Sequence, residues 1–151
     1  MDNTRTPEEM REDAECLADI LTVLQRRFLA NLSKELSRGN VSFPQYFLLG
    51  YLCQSKHLTM SEIAHKMGHT TAAATGLVDR LENLGLVERS HAIDDRRKIM
   101  VRITKNGTAL VLHIRQDMVN NLLKTMTCLE PEEQKNWLKI YQKISNYCQN
   151  K

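Results

Sequence analysis

The feature that most constrains the fold is a change of hydrophobic period between residues 59 and 103. Apolar residues first recur three and four positions apart, which predicts one helix from Thr59 to Gly68 and a second up to about Asn83. From residue 86 onward apolar and polar residues alternate, which predicts the two strands of a hairpin. Two short helices around a glycine-containing turn, followed directly by a hairpin, form a helix-turn-helix with a wing.

The helix boundaries in this stretch carry local signals. Thr59 and Glu62 have the spacing of a capping box, and Gly68 is typical of a helix C-terminus. Thr70 or Thr71 can cap the second helix, because a hydroxyl at that position accepts a hydrogen bond from a free backbone N–H.

Longer helices flank this stretch. Apolar spacing predicts helices from Pro7 to Arg38, from Lys105 to about Thr127 with Thr104 as its cap, and after Pro131. A short, nearly all-apolar helix from Phe43 to Gln54 should be buried centrally. Gly39 is expected to end the first helix.

The predicted fold class is therefore mostly α, with a β wing. We expect one domain, residues 1–151, in which helices at 7–38 and 105–151 form a dimer interface and residues 42–104 form the winged helix-turn-helix lobe. The apolar stripes of the long helices exceed what one small lobe can cover, which favours a homodimer that buries the remainder.

Charge is distributed unevenly, although the net charge is only +3. Residues 1–19 hold two basic and seven acidic residues, whereas residues 86–105 hold six basic and three acidic ones. The second stretch is a basic surface of the kind that nucleic acid attracts. With no apolar run of transmembrane length and an acidic, polar N-terminus, we expect a cytoplasmic protein that binds no membrane.

The first turns of the second short helix are candidates for reading double-stranded DNA. Small side chains let the backbone approach base pairs, hydroxyls reach bases or phosphates, and methyl groups meet thymine. The residues are Thr70, Thr71, Ala72, Ala73, Ala74 and Thr75. Arg80 suits a phosphate, or a structural partner such as Asp79 or Glu82. The alternative is that threonine and alanine simply fill a well-packed helix.

The turn of the hairpin is a second candidate, because Arg96, Arg97 and Lys98 lie together at its predicted tip. An arginine there can enter a narrow minor groove. Asp95 would orient Arg97 while the guanidinium still projects outward. The alternative is a solvated cluster in which Asp94 and Asp95 pair with the arginines and contribute little.

These residues resemble the MarR family of bacterial regulators. The family pattern "vdrLe..Glv.R", followed by D-x-R in the wing and a closing "lT..G", is matched in register. The matching residues are Val78, Asp79, Arg80, Leu81, Glu82, Gly85, Leu86, Val87, Arg89, Asp95, Arg97, Thr104 and Gly107.

The resemblance implies a homodimer that binds a pseudo-palindromic operator, acts as a repressor and is modulated by a small anionic or phenolic effector or by cysteine oxidation. It also points to Cys16, which is similar in position to the sensing cysteine of the organic-hydroperoxide branch. However, Phe43 stands before Pro44 where that branch has a tyrosine, and acidic neighbours disfavour a thiolate. We therefore expect Cys16 to be an inert, partly buried thiol, with redox sensing as the alternative.

Other functions are less well supported by the sequence. No nucleophile motif, phosphate-binding glycine loop or cofactor fingerprint is found, which predicts a protein that is not an enzyme and needs no cofactor. His65 and His69 are four residues apart, but Gly68 lies between them, so we expect no metal site. A winged-helix protein-interaction module remains an alternative, although it predicts an acidic or apolar wing.

Overall fold

The computed structural model describes residues 5–92, 95 and 97–149. In this part of the chain the fold is mostly helical with a small sheet, as predicted. The elements are α1 (Pro7–Arg38), α2 (Phe43–Gln54), β1 (Leu58–Thr59), α3 (Met60–Met67), α4 (Thr71–Asn83), β2 (Val87–His91), β3 (Ile99–Ile103), α5 (Lys105–Met126) and α6 (Pro131–Gln149). No helix among the described residues is both long and apolar enough to cross a membrane.

The sheet has three antiparallel strands in the order β1-β3-β2. The hairpin of β2 and β3 was predicted, with Arg89 opposite Val101. Strand β1 was not predicted: Leu58 pairs with Val101, and two residues are too few to show alternation.

Residue contacts group residues 1–111 into one compact unit and residues 112–151 into another. In the first unit the core lies where α2, α3, α4 and the sheet meet. Its fully buried side chains are Leu48, Leu49, Leu52, Ile63, Val78, Leu81, Val87 and Val101. Helix α2 is therefore central, as its apolar composition predicted.

Helix α1 ends at Arg38 with Gly39 as its cap, as predicted, but the reason for glycine at this position differs from the usual one. Gly39 caps the helix, but its φ of −80° is ordinary, and the left-handed residue is Asn40 with φ of 52°. A Cβ at position 39 would lie 2.9 Å from Cδ1 of Leu110, so glycine is needed there for space rather than for backbone conformation.

The start of α5 is fastened to the turn that follows α4. The Thr104 hydroxyl donates to the Gly85 carbonyl at 2.7 Å and accepts from the Gly107 N–H at 3.1 Å, which confirms Thr104 as the cap. Its backbone N–H donates to the Leu86 carbonyl at 3.0 Å. A Cβ at Gly107 would lie 2.2 Å from that same carbonyl oxygen, so the close approach requires glycine.

Candidate nucleic-acid interface

The turn between α3 and α4 sets the angle of the two helices. Thr59 and Glu62 form the predicted capping box, and the hydrogen bond from the Thr59 backbone N–H lowers the pKa of the Glu62 carboxyl. Gly68 ends α3 with a φ of 63°, a backbone angle that residues other than glycine rarely adopt. The His69 N–H then donates to the Ala64 carbonyl at 2.9 Å, closing the turn before α4.

Helix α4 begins with an exposed turn of small residues. The Thr70 hydroxyl accepts from the Ala73 N–H at 3.3 Å, so Thr70 rather than Thr71 is the cap. Thr71, Ala72, Ala73 and Thr75 are exposed. The Thr75 hydroxyl donates to the Thr71 carbonyl at 2.8 Å.

Ala74 does not belong to this exposed set. It is 0% exposed and packs on the core side of α4, the side that also buries Val78 and Leu81. The expectation that Ala74 approaches DNA was wrong, because residues four and seven positions apart share one helix face and this face is the buried one.

Arg89 on β2 joins the strand to α4, a role that was not predicted from the sequence. Its guanidinium donates to Asp79 Oδ1 at 2.6 Å and to Glu82 Oε2 at 2.5 Å, and its backbone N–H donates to Glu82 Oε1 at 3.2 Å. The two acids and the arginine were visible in the motif, but their pairing required the register of β2 against α4. We call these three residues the Arg89 network.

Arg80 therefore does not have the structural partners that were considered for it. Asp79 and Glu82 are paired with Arg89, and within the described residues Arg80 forms no ion pair. Its exposed side chain is free to approach a phosphate.

In the wing, the Asp95 carboxylate accepts hydrogen bonds from both the backbone and the side chain of Arg97. Asp95 Oδ1 accepts from the Arg97 N–H at 3.0 Å and from Nε at 3.3 Å. The Arg97 side chain is nevertheless 93% exposed, against 29% for Asp95. Lys98 is exposed, and its N–H donates to the Asp95 carbonyl at 2.9 Å. Arg96 and Asp94, also named from the sequence, lie outside the described residues.

The cysteines and the histidine pair lie apart from this surface chemistry. All four cysteines are free and exposed, so the expected partial burial of Cys16 is wrong for this chain. Although Cys53 is exposed as a residue, desolvation of its thiol by the surrounding protein raises the pKa of Cys53. His65 lies on α3 and His69 lies beyond its end at Gly68, and the described residues bring no third metal ligand to the pair.

A short helix pair whose second helix exposes its first turn, followed by a β-hairpin with an exposed arginine at its turn, defines a winged helix-turn-helix protein. A family model described as the MarR family matches residues 40–98. YfiV of Bacillus subtilis, an uncharacterized HTH-type transcriptional regulator, is 34% identical over 122 residues, covering 81% of this chain and 76% of that protein. The transcriptional repressor MdtR of the same organism is 32% identical over 101 residues, 65% of each chain.

Solved structures have the same fold. YusO of Bacillus subtilis superposes with a TM-score of 0.80 at 24% identity, over 94% of this chain and 99% of that one. MepR of S. aureus in complex with DNA gives 0.73 at 20% identity, over 87% and 98%. The chain belongs to the MarR family of transcriptional regulators, whose members are not enzymes.

Proposed function

We propose that this protein represses transcription by binding a specific double-stranded DNA sequence with α4 in the major groove and the wing in the minor groove. The observation that carries the proposal is the division of α4 into two faces. Ala74, Val78 and Leu81 hold it to the core, while its first turn presents exposed small side chains. A helix so held can lie in a groove without losing its packing.

Each side chain has a role that follows from its chemistry. The first-turn residues would contact base edges and thymine methyls, and the arginines and lysine would contact phosphates or the minor groove. The first set is Thr70, Thr71, Ala72, Ala73 and Thr75, and the second is Arg80, Arg96, Arg97 and Lys98. Asp95 would hold Arg97 in a narrow range of orientations, which lowers the entropy lost when the guanidinium enters the groove.

The protein would act as a homodimer through its long helices. The 19 residues of α6 include none that is buried, yet Leu138, Ile140, Tyr141 and Ile144 are each more than 50% exposed. On α1 an exposed apolar stripe likewise extends from Leu17 to Phe28. A second copy would cover such faces, with residues 7–38 and 105–151 forming the interface.

Two copies would place two 42–104 lobes on a pseudo-palindromic operator, with half-sites about 10 base pairs apart. Names among the relatives support repression: MdtR is called a repressor, and so is the homoprotocatechuate degradative operon repressor of Escherichia coli. A small anionic or phenolic effector would release the DNA by favouring a different spacing of the two lobes.

The first experiment measures affinity for the DNA upstream of the protein's own gene against unrelated duplex, over a range of salt concentrations. We expect a dissociation constant of roughly 10 nM or tighter for the specific duplex. The logarithm of affinity should fall by about 0.9 per neutralised phosphate for each tenfold rise in salt. Equal and weak binding to both duplexes would favour a protein-interaction module instead.

Single substitutions separate the two modes of contact. Arg97→Ala should weaken binding to specific and unrelated duplex alike and reduce the salt slope by about 0.9. Thr71→Ala should instead change which operator variants are preferred. Arg5→Ala removes an exposed charge that lies before α1, outside the proposed interface and lobe, and is the control that should alter neither quantity. Unchanged affinity and salt slope in Arg97→Ala would show that the wing makes no contact.

A further inference from the structure

A concave surface lies on the face of the sheet opposite the core. Val101 of β3 is fully buried, so its neighbours Met100 and Arg102 lie on the other face, as alternation along a strand requires. Met100 pairs with Ser90 of β2 on one side and with Thr59 of β1 on the other. Met100 and Arg102, together with Ser90 and Ala92 and with Lys56 and His57 before β1, line a cavity of about 430 Å³.

The charge of this cavity is basic. Lys56 and Arg102 each bring a full positive charge, and His57 and His91 add two imidazoles. Glu88 faces Arg102 and accepts from its Nε at 2.6 Å, which uses one edge of the guanidinium. Since the Arg102 side chain remains 60% exposed, its other N–H groups are accessible to an anion.

Size and lining indicate the kind of anion. Small-molecule sites have volumes of roughly 300–1,000 Å³ and an apolar lining with a few polar groups that fix orientation. Met100 and Ala92 supply apolar surface, whereas a bare phosphate would fill only a small part of the cavity. We propose that this cavity binds a small organic carboxylate, whose charged group pairs with Lys56 and Arg102 and whose apolar part covers Met100.

The cavity lies where a bound ligand would affect both the helix-turn-helix and the wing. A ligand there contacts the segment that leads through β1 into α3, and it also contacts both strands of the wing. It therefore links the helix-turn-helix to the wing and restricts the wing to one arrangement. An effect on DNA affinity rests on the proposed function, but binding of the carboxylate itself does not.

Binding is tested on the full chain with 4-(trifluoromethyl)benzoate, observed by fluorine NMR, and its site is mapped from backbone amide shifts. The neutral 4-(trifluoromethyl)benzamide is the matched control probe. We expect saturable binding of the benzoate, amide shifts concentrated at residues 56–57, 90–92 and 100–102, and at least tenfold weaker binding of the benzamide.

Substitutions then test the basic groups. Lys56→Gln combined with Arg102→Gln should weaken benzoate binding at least tenfold, whereas Lys34→Gln, remote in sequence on α1, should leave it unchanged. The amide spectrum of each variant checks that it is folded. Non-saturable binding, shifts elsewhere, or equal affinity in the double variant would overturn the proposal.

A DNA titration without the benzoate probe tests whether the cavity instead holds the other available anion, a phosphate of bound DNA. If the double variant lowers DNA affinity and salt slope while benzoate binding to the parent chain is absent, the cavity holds a DNA phosphate and the carboxylate proposal is wrong. If benzoate binds at the cavity and the chain fails to bind any operator, the proposed function fails while the carboxylate site stands.

Discussion

Two small residues hold the start of α5 against the end of α4. Thr104 bonds to the Gly85 and Leu86 carbonyls, and Gly107 lets the Leu86 carbonyl approach to a distance that no side chain permits. The family pattern contains both residues, but their spacing in sequence does not reveal why. The reason is visible only when the backbone of residue 86 lies against the first turn of α5.

Gly107→Ala should therefore destabilise the protein, because its Cβ would overlap the Leu86 carbonyl oxygen. Overpacking of this kind costs about 1–3 kcal/mol of unfolding free energy or more. Gly76→Ala on α4 is the matched control: a Cβ at that position would meet no atom within 4 Å, and alanine should stabilise the helix by about 0.5–1 kcal/mol. Both variants are measured by urea unfolding. If their free energies of unfolding changed in the same direction, the explanation would be contradicted.

At the residue scale, the sequence predicts best what depends on near neighbours. The caps Thr59 and Thr104 and the αL glycine Gly68 are all recognisable from residues within four positions. The burial of Ala74 was missed, since alanine suits a buried face and a DNA-facing turn equally well. Its environment is decided by how α4 rotates on the core.

The Arg89 network belongs to the scale of elements, because it joins β2 to α4. The Arg89 side chain is only 21% exposed and binds two carboxylates. We expect Arg89→Met to lower the unfolding free energy by about 1–2 kcal/mol, since it removes charge-assisted hydrogen bonds and leaves two acids side by side.

Arg11→Met provides the comparison, measured by urea unfolding at the same pH. Its ion pair with Glu15 is highly exposed, 80% and 72% for the two side chains, so its loss should change the unfolding free energy by less than about 0.5 kcal/mol. Equal effects of the two substitutions would mean that the Arg89 network does not support the wing.

Helix α3 should respond to acid through Glu62. Its pKa is lowered in the folded chain, first by the hydrogen bond from the Thr59 backbone, so the carboxylate stabilises α3 above its ordinary pKa of 4.5. That stabilisation is lost as the pH falls through the lower, folded pKa. Relative to Glu62→Gln, the native chain should be more stable at pH 7, and the difference should vanish once the pH has fallen below the folded pKa. A difference that is independent of pH would exclude this origin.

Among the elements of the described residues, the six helices and the β2–β3 hairpin were predicted, because each has a period that extends over several residues. Strand β1 could not be predicted, since its only signal is the pairing of Leu58 with Val101, more than forty residues later. The basic cavity depends on that same pairing, which brings Lys56 and His57 beside β3, and so it has no signature in the local sequence.

At the scale of the whole molecule, the exposed apolar face of α6 is the reason to expect a dimer. Ile144→Glu places a charge in that face and should convert the protein to monomers, measured by sedimentation. Operator affinity should fall with it, because one lobe then binds alone. Asn146→Glu adds the same charge to α6 on the side away from its apolar stripe and should leave the dimer intact. An unchanged assembly in Ile144→Glu would place the interface elsewhere.

The two faces of α4 also bear on how such a regulator can change over evolutionary time. Substitutions at Thr71, Ala72 or Ala73 alter exposed side chains on which the core does not depend, so they carry little penalty in folding. Substitutions at Ala74, Val78 or Leu81 disturb fully buried positions and are removed by selection for stability. If α4 reads DNA as proposed, descendants of this chain can acquire new target sequences through a few accepted mutations while the scaffold that presents them is preserved.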